Sequence, residues 1–316
     1  MDIDNPCCPL CRSFGSRAVG AARRADLVDR YRAIGVQIES ELPATATIDL
    51  RRCRQCDLEF FDPPAAGSSD LYRQLESFDW YYETEKPEFS IALDLIPEGA
   101  SVLEVGSGAG AFAARLPARC RYVGLELNAS AAAKAVSAGI DVRVESLDEH
   151  LAASASRYDV VCSFQVLEHV SDPRGFLSGC ARAAEAGGRV LIGVPSADSF
   201  ASSLPDFILD MPPHHVTRWS DRCLRAAASQ AGLEFVQLLP ERLRSVHAPA
   251  FWAARLLRMA YACVGRVPPL MAITPGSRLL LKCAAHAGAA FARLQPMPSR
   301  HRGIAVVAVY RKVADS

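Results

Sequence analysis

Two pairs of cysteines near the start of the chain have the spacing of metal-binding knuckles. Cys8 and Cys11 form one Cys-X-X-Cys pair, and Cys53 and Cys56 form a second. Each pair can present two thiolates to one tetrahedral ion, and four sulfur ligands leave no open coordination position. The sequence therefore predicts a structural Zn²⁺ site at these four cysteines, with iron in the same site or a redox dithiol as alternatives. Cys7 is expected to be a bystander, although it would replace Cys8 in a shifted register.

A glycine-rich segment has the composition of a loop that cradles a nucleotide-like ligand. Gly106, Gly108 and Gly110 stand at alternate positions after a short apolar stretch. Glycine lets the backbone turn sharply and approach a ligand where a side chain would clash. Glu104 precedes the loop, and Glu126 follows at a point where a carboxylate can accept both hydroxyls of a ribose. The GxGxG spacing differs from the GxGxxG of nicotinamide dinucleotide enzymes, which argues against that cofactor.

Two adjacent histidines are the candidates for acid–base chemistry. His214 and His215 follow two prolines, beyond the fifth predicted strand. Active sites of open parallel sheets lie at the carboxyl ends of the strands, so this segment is well placed. A histidine near its unperturbed pKa can accept a hydroxyl proton near neutral pH. Either residue could be the base, or one or both could hold the loop through hydrogen bonds. His169 is expected to cap a helix, with a place in the lining of the pocket as the alternative.

The elements that must position these residues alternate between strands and helices from about residue 100. Strands are predicted at 101–105, 122–125, 141–144, 158–164, 189–194, 233–239 and 304–310, and helices at 111–119, 129–138, 173–186 and 220–231. This alternation predicts an α/β fold with a doubly wound, Rossmann-like, seven-stranded and mostly parallel sheet. The expected domains are a small N-terminal zinc-ribbon-like module over 1–62, a helical lid or linker over 63–98, and the main domain over 99–316. A helical insertion at about 241–302 is expected before the last strand.

Two segments outside the regular alternation could contact a ligand or a partner. Tyr81 and Tyr82 of the lid could touch the ligand, with aromatic packing on the core as the alternative. The insertion carries Trp252, Arg255 and Arg258 and is expected to form a packed helical hairpin. An acceptor cap, a dimer surface or a weak membrane-surface contact are the alternatives for the insertion.

The bulk composition narrows the classes of partner and compartment. The 316 residues include 35 basic and 35 acidic side chains, and this zero formal charge disfavours a nucleic-acid partner. The eleven cysteines are odd in number and scattered, which indicates free thiols in a reducing compartment. Neither a secretory signal nor a transmembrane stretch is recognisable, so we expect a cytoplasmic protein with a small-molecule partner.

Four segments in order resemble the class I S-adenosylmethionine-dependent methyltransferases. They span 102–110, 122–126, 158–170 and 187–195. The Cys-Pro-Leu-Cys stretch, together with 57–63, resembles the zinc-ribbon leader found before some bacterial small-molecule methyltransferases. The Pro-Pro-His-His stretch resembles a broad subgroup that acts on sugars or small metabolites. The resemblance implies S-adenosyl-L-methionine as cofactor and a sugar, a glycolipid or a secondary-metabolite intermediate as methyl acceptor.

The resemblance also implies roles for individual residues by their position. Gly106 and Gly108 should lie against the methionine and ribose portions of the cofactor. Glu104 should orient the cofactor's amino group, and Glu126 should hold the ribose diol. The other expected contacts come from Ser146 and Leu147 over the adenine, from the backbone of Phe164 and Gln165 near the methionine end, and from Ser107, Gly110 and Leu127.

Several rival functions remain compatible with parts of this pattern. A protein could keep the cofactor pocket without catalysis, a nicotinamide-dependent oxidoreductase would use a similar loop, and a nucleic-acid methyltransferase would grip its substrate with the zinc knuckles. The loop spacing counts against the second and the zero charge against the third. Metal-assisted transfer to catechols needs acidic and amide ligands near the fourth strand, where 163–168 has no aspartate pair, so a catalytic metal is not expected.

Overall fold

The computed structural model describes residues 6–78, 85–294 and 301–313. Its strands are β1 (Ser16–Arg23), β2 (Thr47–Cys53), β3 (Glu59–Asp62), β4 (Ser101–Val105), β5 (Arg121–Leu125), β6 (Val142–Arg143), β7 (Tyr158–Phe164), β8 (Ala184–Pro195), β9 (Thr217–Arg218), β10 (Leu233–Arg242) and β11 (Arg302–Lys312). Its α-helices are α1 (Arg24–Ala33), α2 (Ser69–Leu75), α3 (Pro87–Leu93), α4 (Ala129–Ser137), α5 (Leu147–Ala153), α6 (Pro173–Ala183), α7 (Asp221–Gln230), α8 (Ala248–Ala262) and α9 (Pro275–Leu294).

The main sheet confirms the predicted seven-stranded α/β fold. Its strand order is β10-β11-β8-β7-β4-β5-β6, and only β11 runs antiparallel to its neighbours. β5 lies on one side of β4 and β7 lies on the other, so the winding of the sheet reverses at β4. Ligands of such sheets bind outside the carboxyl ends of the strands at this reversal. The fold therefore presents the segments after β4, β5 and β7 to one cleft.

One predicted helix was wrong. The sequence indicated a helix over 111–119, whereas the structure has a single 3₁₀ turn at Ala113–Arg115. Leu116 adopts an extended backbone (φ −66°, ψ 148°) directly before Pro117. A proline disfavours the α conformation of the residue before it, which ends any helix at that point. The glycine loop consequently leads into turns instead of the N-terminus of an α-helix.

A second sheet joins the N-terminal segment to the main part of the chain. Its order is β1-β2-β3-β9, and all of its pairings are antiparallel. β9 follows directly after His215 and Val216, and Phe61 N–H of β3 donates to Val216 O at 3.1 Å. The sheet that carries the N-terminal cysteines therefore extends to the strand that follows the two predicted catalytic histidines.

The segment before the last strand contains two packed helices. α8 and α9 form a hairpin, and a Cβ added at Gly288 of α9 would come within 2.5 Å of Pro249 O and 2.7 Å of Ala253 N. The lack of a side chain at Gly288 therefore permits close approach of the two backbones. No helix in the described ranges is long and apolar enough to span a bilayer.

Candidate functional site

The glycine loop is held against the end of the neighbouring strand. Gly106, Gly108 and Gly110 have φ angles of 78°, 56° and 79°, a region that side-chain-bearing residues rarely adopt. The N–H groups of Gly106 and Ser107 donate to Leu125 O at 2.8 and 3.0 Å. An added Cβ at Gly108 would meet nothing within 4 Å. The loop is thus fixed on one side and open at Gly108, as a ligand cradle requires.

Glu126 closes one end of this cradle with a carboxylate. Gly108 N–H donates to its Oε2 at 2.8 Å, and Asn128 N–H donates to its Oε1 at 2.7 Å. Each carboxylate oxygen keeps capacity for a second donor, such as a ribose hydroxyl. Leu127 beside it is 73% exposed. Both residues therefore border the cleft expected to receive the nucleoside.

Glu104 is an acid buried behind the loop. Its carboxylate is almost inaccessible, and Tyr122 Oη donates to its Oε2 at 2.5 Å. Burial raises the pKa of Glu104 to about 8, because the charged form is poorly solvated there. Ser107 is buried as well. A cationic group brought to this acid would favour its ionised form.

The remaining predicted cofactor residues lie around the same edge in different roles. Ser146 caps α5 in a capping box with Glu149, and Leu147 is buried in the main core. The ring of Phe164 packs on Phe112 at a centroid distance of 4.9 Å. Gln165 has a left-handed backbone (φ 58°) at the end of β7. Such strained backbones concentrate at functional sites. Ser146, Leu147 and Phe164 are held by contacts within the protein, without a ligand.

The structure gathers His214 and His215 with a third ring, His169, and with two acids. Ring centroids of His169 lie 4.6 Å from His214 and 4.8 Å from His215. Asp210 Oδ1 lies 3.1 Å from His215 Nδ1. Glu168 Oε1 lies 3.9 Å from Nε2 of both His169 and His215. We call these five residues the histidine cluster.

Burial sets the charges within the histidine cluster. It lowers the pKa of His214 to about 4 and the pKa values of His169 and His215 well below their usual range. It raises the pKa of Glu168 to about 8. The cause is the same in each case, because removal from water disfavours the charged form. The rings are therefore neutral at physiological pH.

Sequence reasoning missed Glu168, Asp210 and His169 as partners of the two histidines. Glu168 and His169 stand directly after β7, and the Pro-Pro-His-His stretch follows β8, its parallel neighbour. Because the carboxyl ends of parallel strands lie at the same edge of a sheet, the two segments could have been predicted to lie close together.

A cavity opens beside the histidine cluster. Its lining includes Glu168, Asp210, His215, Arg218, Ser196 and Ser199. Arg218 Nε pairs with Asp210 Oδ2 at 3.0 Å. The cavity thus offers hydroxyl, carboxylate, imidazole and guanidinium groups to a polar ligand.

The four predicted zinc ligands come together in the N-terminal segment. Their sulfurs lie within 4.8 Å of one another. Cys8 Sγ and Cys56 Sγ are 3.5 Å apart, as are Cys11 Sγ and Cys53 Sγ. Cys7 is exposed, with its Sγ turned to the carbonyl of Cys8. Four convergent thiols form the donor set of a tetrahedral structural ion.

The lid tyrosines, Tyr81 and Tyr82, lie outside the described residues. The expectation that they touch the ligand therefore stays a prediction.

Comparison with known proteins gives concordant matches. A family described as a methyltransferase domain matches residues 82–238. The ubiquinone biosynthesis O-methyltransferase of Hahella chejuensis is 30% identical over 160 residues, covering 44% of this chain and 67% of the relative. That of Xanthomonas axonopodis pv. citri is 30% identical over 142 residues, covering 42% of this chain. The chain spans 59% of the length of this second relative.

A solved structure matches the fold. The S-adenosylmethionine-dependent methyltransferase from Archaeoglobus fulgidus aligns with a TM-score of 0.50 and 16% identity, covering 76% of this chain and all of that one.

Proposed function

This chain belongs to the class I S-adenosylmethionine-dependent methyltransferase family, and we propose from that premise that it methylates a hydroxyl oxygen of a small molecule. The named relatives are O-methyltransferases, which supports oxygen as the accepting atom. A sugar, a glycolipid or a secondary-metabolite intermediate is the acceptor class. The observation that carries the proposal is the meeting of two sites at one sheet edge. An added Cβ at Gly106 would lie 2.4 Å from Val166 Cγ2, two residues before Glu168.

The residues around the glycine loop fit S-adenosyl-L-methionine. When bound, the cofactor supplies an electrophilic methyl group on a sulfonium. Gly108 leaves room for the ligand, and Glu126 accepts the ribose hydroxyls. Glu104 attracts the amino group of the methionine portion, whose positive charge offsets the cost of ionising a buried acid.

The histidine cluster and its cavity suit the acceptor. His215 is the better-placed base of the two predicted histidines, because Asp210 holds its Nδ1 and leaves Nε2 to accept a hydroxyl proton. Asp210 also stabilises the imidazolium that forms, as an orienting carboxylate does in catalytic triads. His214 Nδ1 is directed at Leu209 O, 2.7 Å away, so this second ring is fixed by the loop backbone.

We also propose a structural Zn²⁺ ion at the four N-terminal cysteines. The ion would tie the loop before β1 to the end of β2 and the turn that follows it, and its site offers no open position for substrate. Through β3 and β9, the same sheet supports the segment that carries His214 and His215.

The helical hairpin supports a contact with anionic lipid. Residues 242–313 contain ten arginines and two lysines but no acid, within a chain of zero formal charge. Met259, Leu279 and Leu294 are 60%, 64% and 79% exposed. Exposed basic side chains of the same two helices, such as Arg258 and Lys282, together with these apolar groups favour anionic membranes. Co-sedimentation should show binding to phosphatidylglycerol vesicles and little binding to phosphatidylcholine vesicles, with a loss in R258E/K282E and none in the remote control R119E.

Two measurements test the proposed activity. Calorimetry should show S-adenosylhomocysteine binding that is lost in Glu126→Ala, and transfer of labelled methyl from S-adenosylmethionine should be observed with hydroxyl acceptors. A catalytically inactive cofactor-binding protein would bind S-adenosylhomocysteine without turnover on any acceptor. A nucleic-acid methyltransferase would transfer label to RNA or DNA and shift it on a gel at physiological salt.

A further inference from the structure

The three rings of the histidine cluster are oriented by groups that bond to their Nδ1 atoms. His169 Nδ1 lies 2.6 Å from His214 O, and His214 Nδ1 lies 2.7 Å from Leu209 O. A carbonyl oxygen only accepts, so Nδ1 carries the proton in both rings. His215 Nδ1 faces Asp210 Oδ1 at 3.1 Å, and an ionised carboxylate imposes the same tautomer. In a neutral ring, the lone pair then sits on Nε2.

The three rings bring nitrogen atoms close to one another. One ring nitrogen from each of His169, His214 and His215 lies within 4.8 Å of those from the other two. Nε2 of His169 and Nε2 of His215 each lie 3.9 Å from Glu168 Oε1. The atoms that meet there are imidazole nitrogens and carboxylate oxygens, which are all acceptors when the rings are neutral and the acid is ionised.

Glu168 supplies an independent sign that a ligand belongs at this centre. The side chain is 1% exposed, and neither of its oxygens has a hydrogen-bond partner among the described residues. A buried carboxyl group without a partner is unfavourable whether it is ionised or protonated, because its polar atoms have lost water without gaining another hydrogen bond. The nearest ring nitrogens are too far away at 3.9 Å to bond to it. A cation between them would satisfy the acid and the rings together.

We propose that Glu168, His169, His214 and His215 bind a divalent transition-metal ion. Three imidazoles and one carboxylate are the ligands that Zn²⁺, Fe²⁺ and Co²⁺ accept in proteins. Carbonyl and carboxylate partners on the other ring nitrogen are the usual means of orienting metal-binding histidines. This donor set differs from the aspartate pair whose absence argued against a catechol-type metal.

The spacing of the donors is close to that of a bound ion. Tetrahedral Zn²⁺ with ligands at 2.0–2.1 Å places them roughly 3.4 Å apart. The 3.9 Å between Glu168 Oε1 and each Nε2 thus has to close by about half an ångström. Ring nitrogens up to 4.8 Å apart have to approach one another as well, by rotation of the nearly parallel rings of His214 and His215.

The ion would face the cavity that we assign to the acceptor, since Glu168 and His215 line it. On the premise of the proposed methyl transfer, an acceptor hydroxyl would ligate the ion and lose its proton to water, because a bound cation lowers the pKa of a ligated hydroxyl. The oxygen then forms its bond to the methyl carbon as the carbon–sulfur bond breaks and S-adenosylhomocysteine leaves. In this loaded form the imidazoles are ligands, and the ion replaces His215 as the means of deprotonation.

Cobalt titration tests the site apart from activity. The full chain, given one equivalent of Zn²⁺ to fill the four-thiol site and then desalted, is titrated with Co²⁺ and followed by visible absorption. We expect one equivalent of Co²⁺ with d–d bands and without the near-ultraviolet charge-transfer bands of cobalt thiolate. The affinity for Co²⁺ should fall by at least about a hundredfold in His215→Ala and Glu168→Gln, and about ten- to a hundredfold in Asp210→Asn, which only orients His215.

His286→Ala removes an exposed histidine on α9 and is the matched control. It should bind Co²⁺ like the unaltered protein, and circular dichroism should show that all variants are folded. Equal Co²⁺ affinity in every variant, or absorption from thiolate-bound cobalt alone, would overturn the proposal. S-adenosylhomocysteine calorimetry on the same samples separates the two claims, since its failure would count against the proposed function and leave the cobalt result standing.

Discussion

The cysteine cluster and the histidine cluster are both convergent sets of ligand-type side chains, and they differ in what surrounds them. The cysteine cluster consists of four thiols of one kind, placed in two local pairs and packed into the main hydrophobic core. The histidine cluster mixes imidazoles with two acids, and Glu168, Asp210 and His215 line a cavity. A closed homogeneous site can only hold the fold together, whereas a mixed site beside a cavity can act on a ligand.

The two clusters are also connected through the backbone. β3 pairs with β9, so the sheet that follows the second cysteine pair ends on the strand after His215. Disruption of the cysteine cluster should therefore reach the histidine cluster, while disruption of the histidine cluster should stay local. The predictions below test this asymmetry.

The largest effect is expected from loss of the cysteine cluster. Cys53→Ser with Cys56→Ser, or removal of the ion by a strong chelator, should lower the free energy of unfolding by about 5 kcal/mol or more, because binding of structural zinc is coupled to folding. Thermal denaturation and metal analysis measure the change. Cys7→Ser is the control, since Cys7 is exposed. A stable, zinc-free double variant would show that the four thiols are not a metal site.

The histidine cluster should give the opposite pattern, a large kinetic effect with little loss of stability. His215→Ala is expected to reduce methyl transfer by about 10²- to 10⁴-fold, the usual contribution of a positioned proton acceptor. S-adenosylhomocysteine affinity and the melting temperature should change little. His286→Ala should keep full activity. Unaltered turnover in His215→Ala would restrict His215 to a role in holding the loop.

The cysteine cluster and the glycine loop could be predicted from the sequence, because both depend on spacing along the chain. Two Cys-X-X-Cys pairs and a strand followed by alternate glycines are local patterns, and both were recognised. β7 was predicted at its observed bounds because a strand buried on both faces is a continuous apolar run. The 111–119 helix was wrong because Pro117 overrides the helix propensity of the alanines before it.

The parts that could not be predicted depend on contacts between distant segments. Glu168 and His215 are 47 positions apart, and only the parallel pairing of β7 with β8 brings their loops together. β9 has two residues, too few to show a strand pattern. Its pairing with β3 is set by the tertiary arrangement, and the sharing of one sheet between the two regions follows from it.

A smaller effect is expected from pH at the cofactor site, which contains neither cluster. The pKa of Glu104 is raised to about 8 in the ligand-free protein, so the acid must release a proton before it pairs with the cofactor's amino group. Affinity for S-adenosylhomocysteine should therefore rise with pH, by up to about tenfold per unit, and level off above about 8. Calorimetry in buffers of different ionisation enthalpy measures the released proton.

The matched variant for this prediction is Glu104→Gln. It cannot release a proton, so its affinity should be lower at pH 8 and nearly independent of pH. The stability of the ligand-free fold depends on pH in the opposite direction. An acid with a raised pKa holds its proton in the folded state while the unfolded state loses it, so stability falls between about pH 4.5 and 8. Glu104→Gln should remove that decline, and a decline of equal size in the variant would assign it to other groups.

The smallest effect tests the connection between the clusters. Ser220 accepts from Cys223 N–H at 3.1 Å as the N-cap of α7, and its hydroxyl donates to Asp57 Oδ2 at 2.6 Å. Asp57 follows Cys56 directly, so this bond joins the end of the cysteine cluster to the segment after the histidines. Ser220→Ala should cost about 1 to 2 kcal/mol of unfolding free energy, the usual loss of a cap and a hydrogen bond to an ionised group.

Asp57→Asn separates the two contributions of Ser220. It keeps the N-cap and weakens the bond between Ser220 and Asp57, together with the exposed ion pair between Arg222 and Asp57 at 4.0 Å, so it should cost less stability than Ser220→Ala. The cysteine cluster could support the histidine segment through the hydrogen bond between Ser220 and Asp57 as well as through the pairing of β3 with β9. In that case both variants should slow methyl transfer by a few-fold and leave S-adenosylhomocysteine affinity unchanged. If both variants turn over as fast as the unaltered protein, the hydrogen bond stabilises the fold without positioning His215. The histidine segment would then be supported through the β3–β9 pairing alone.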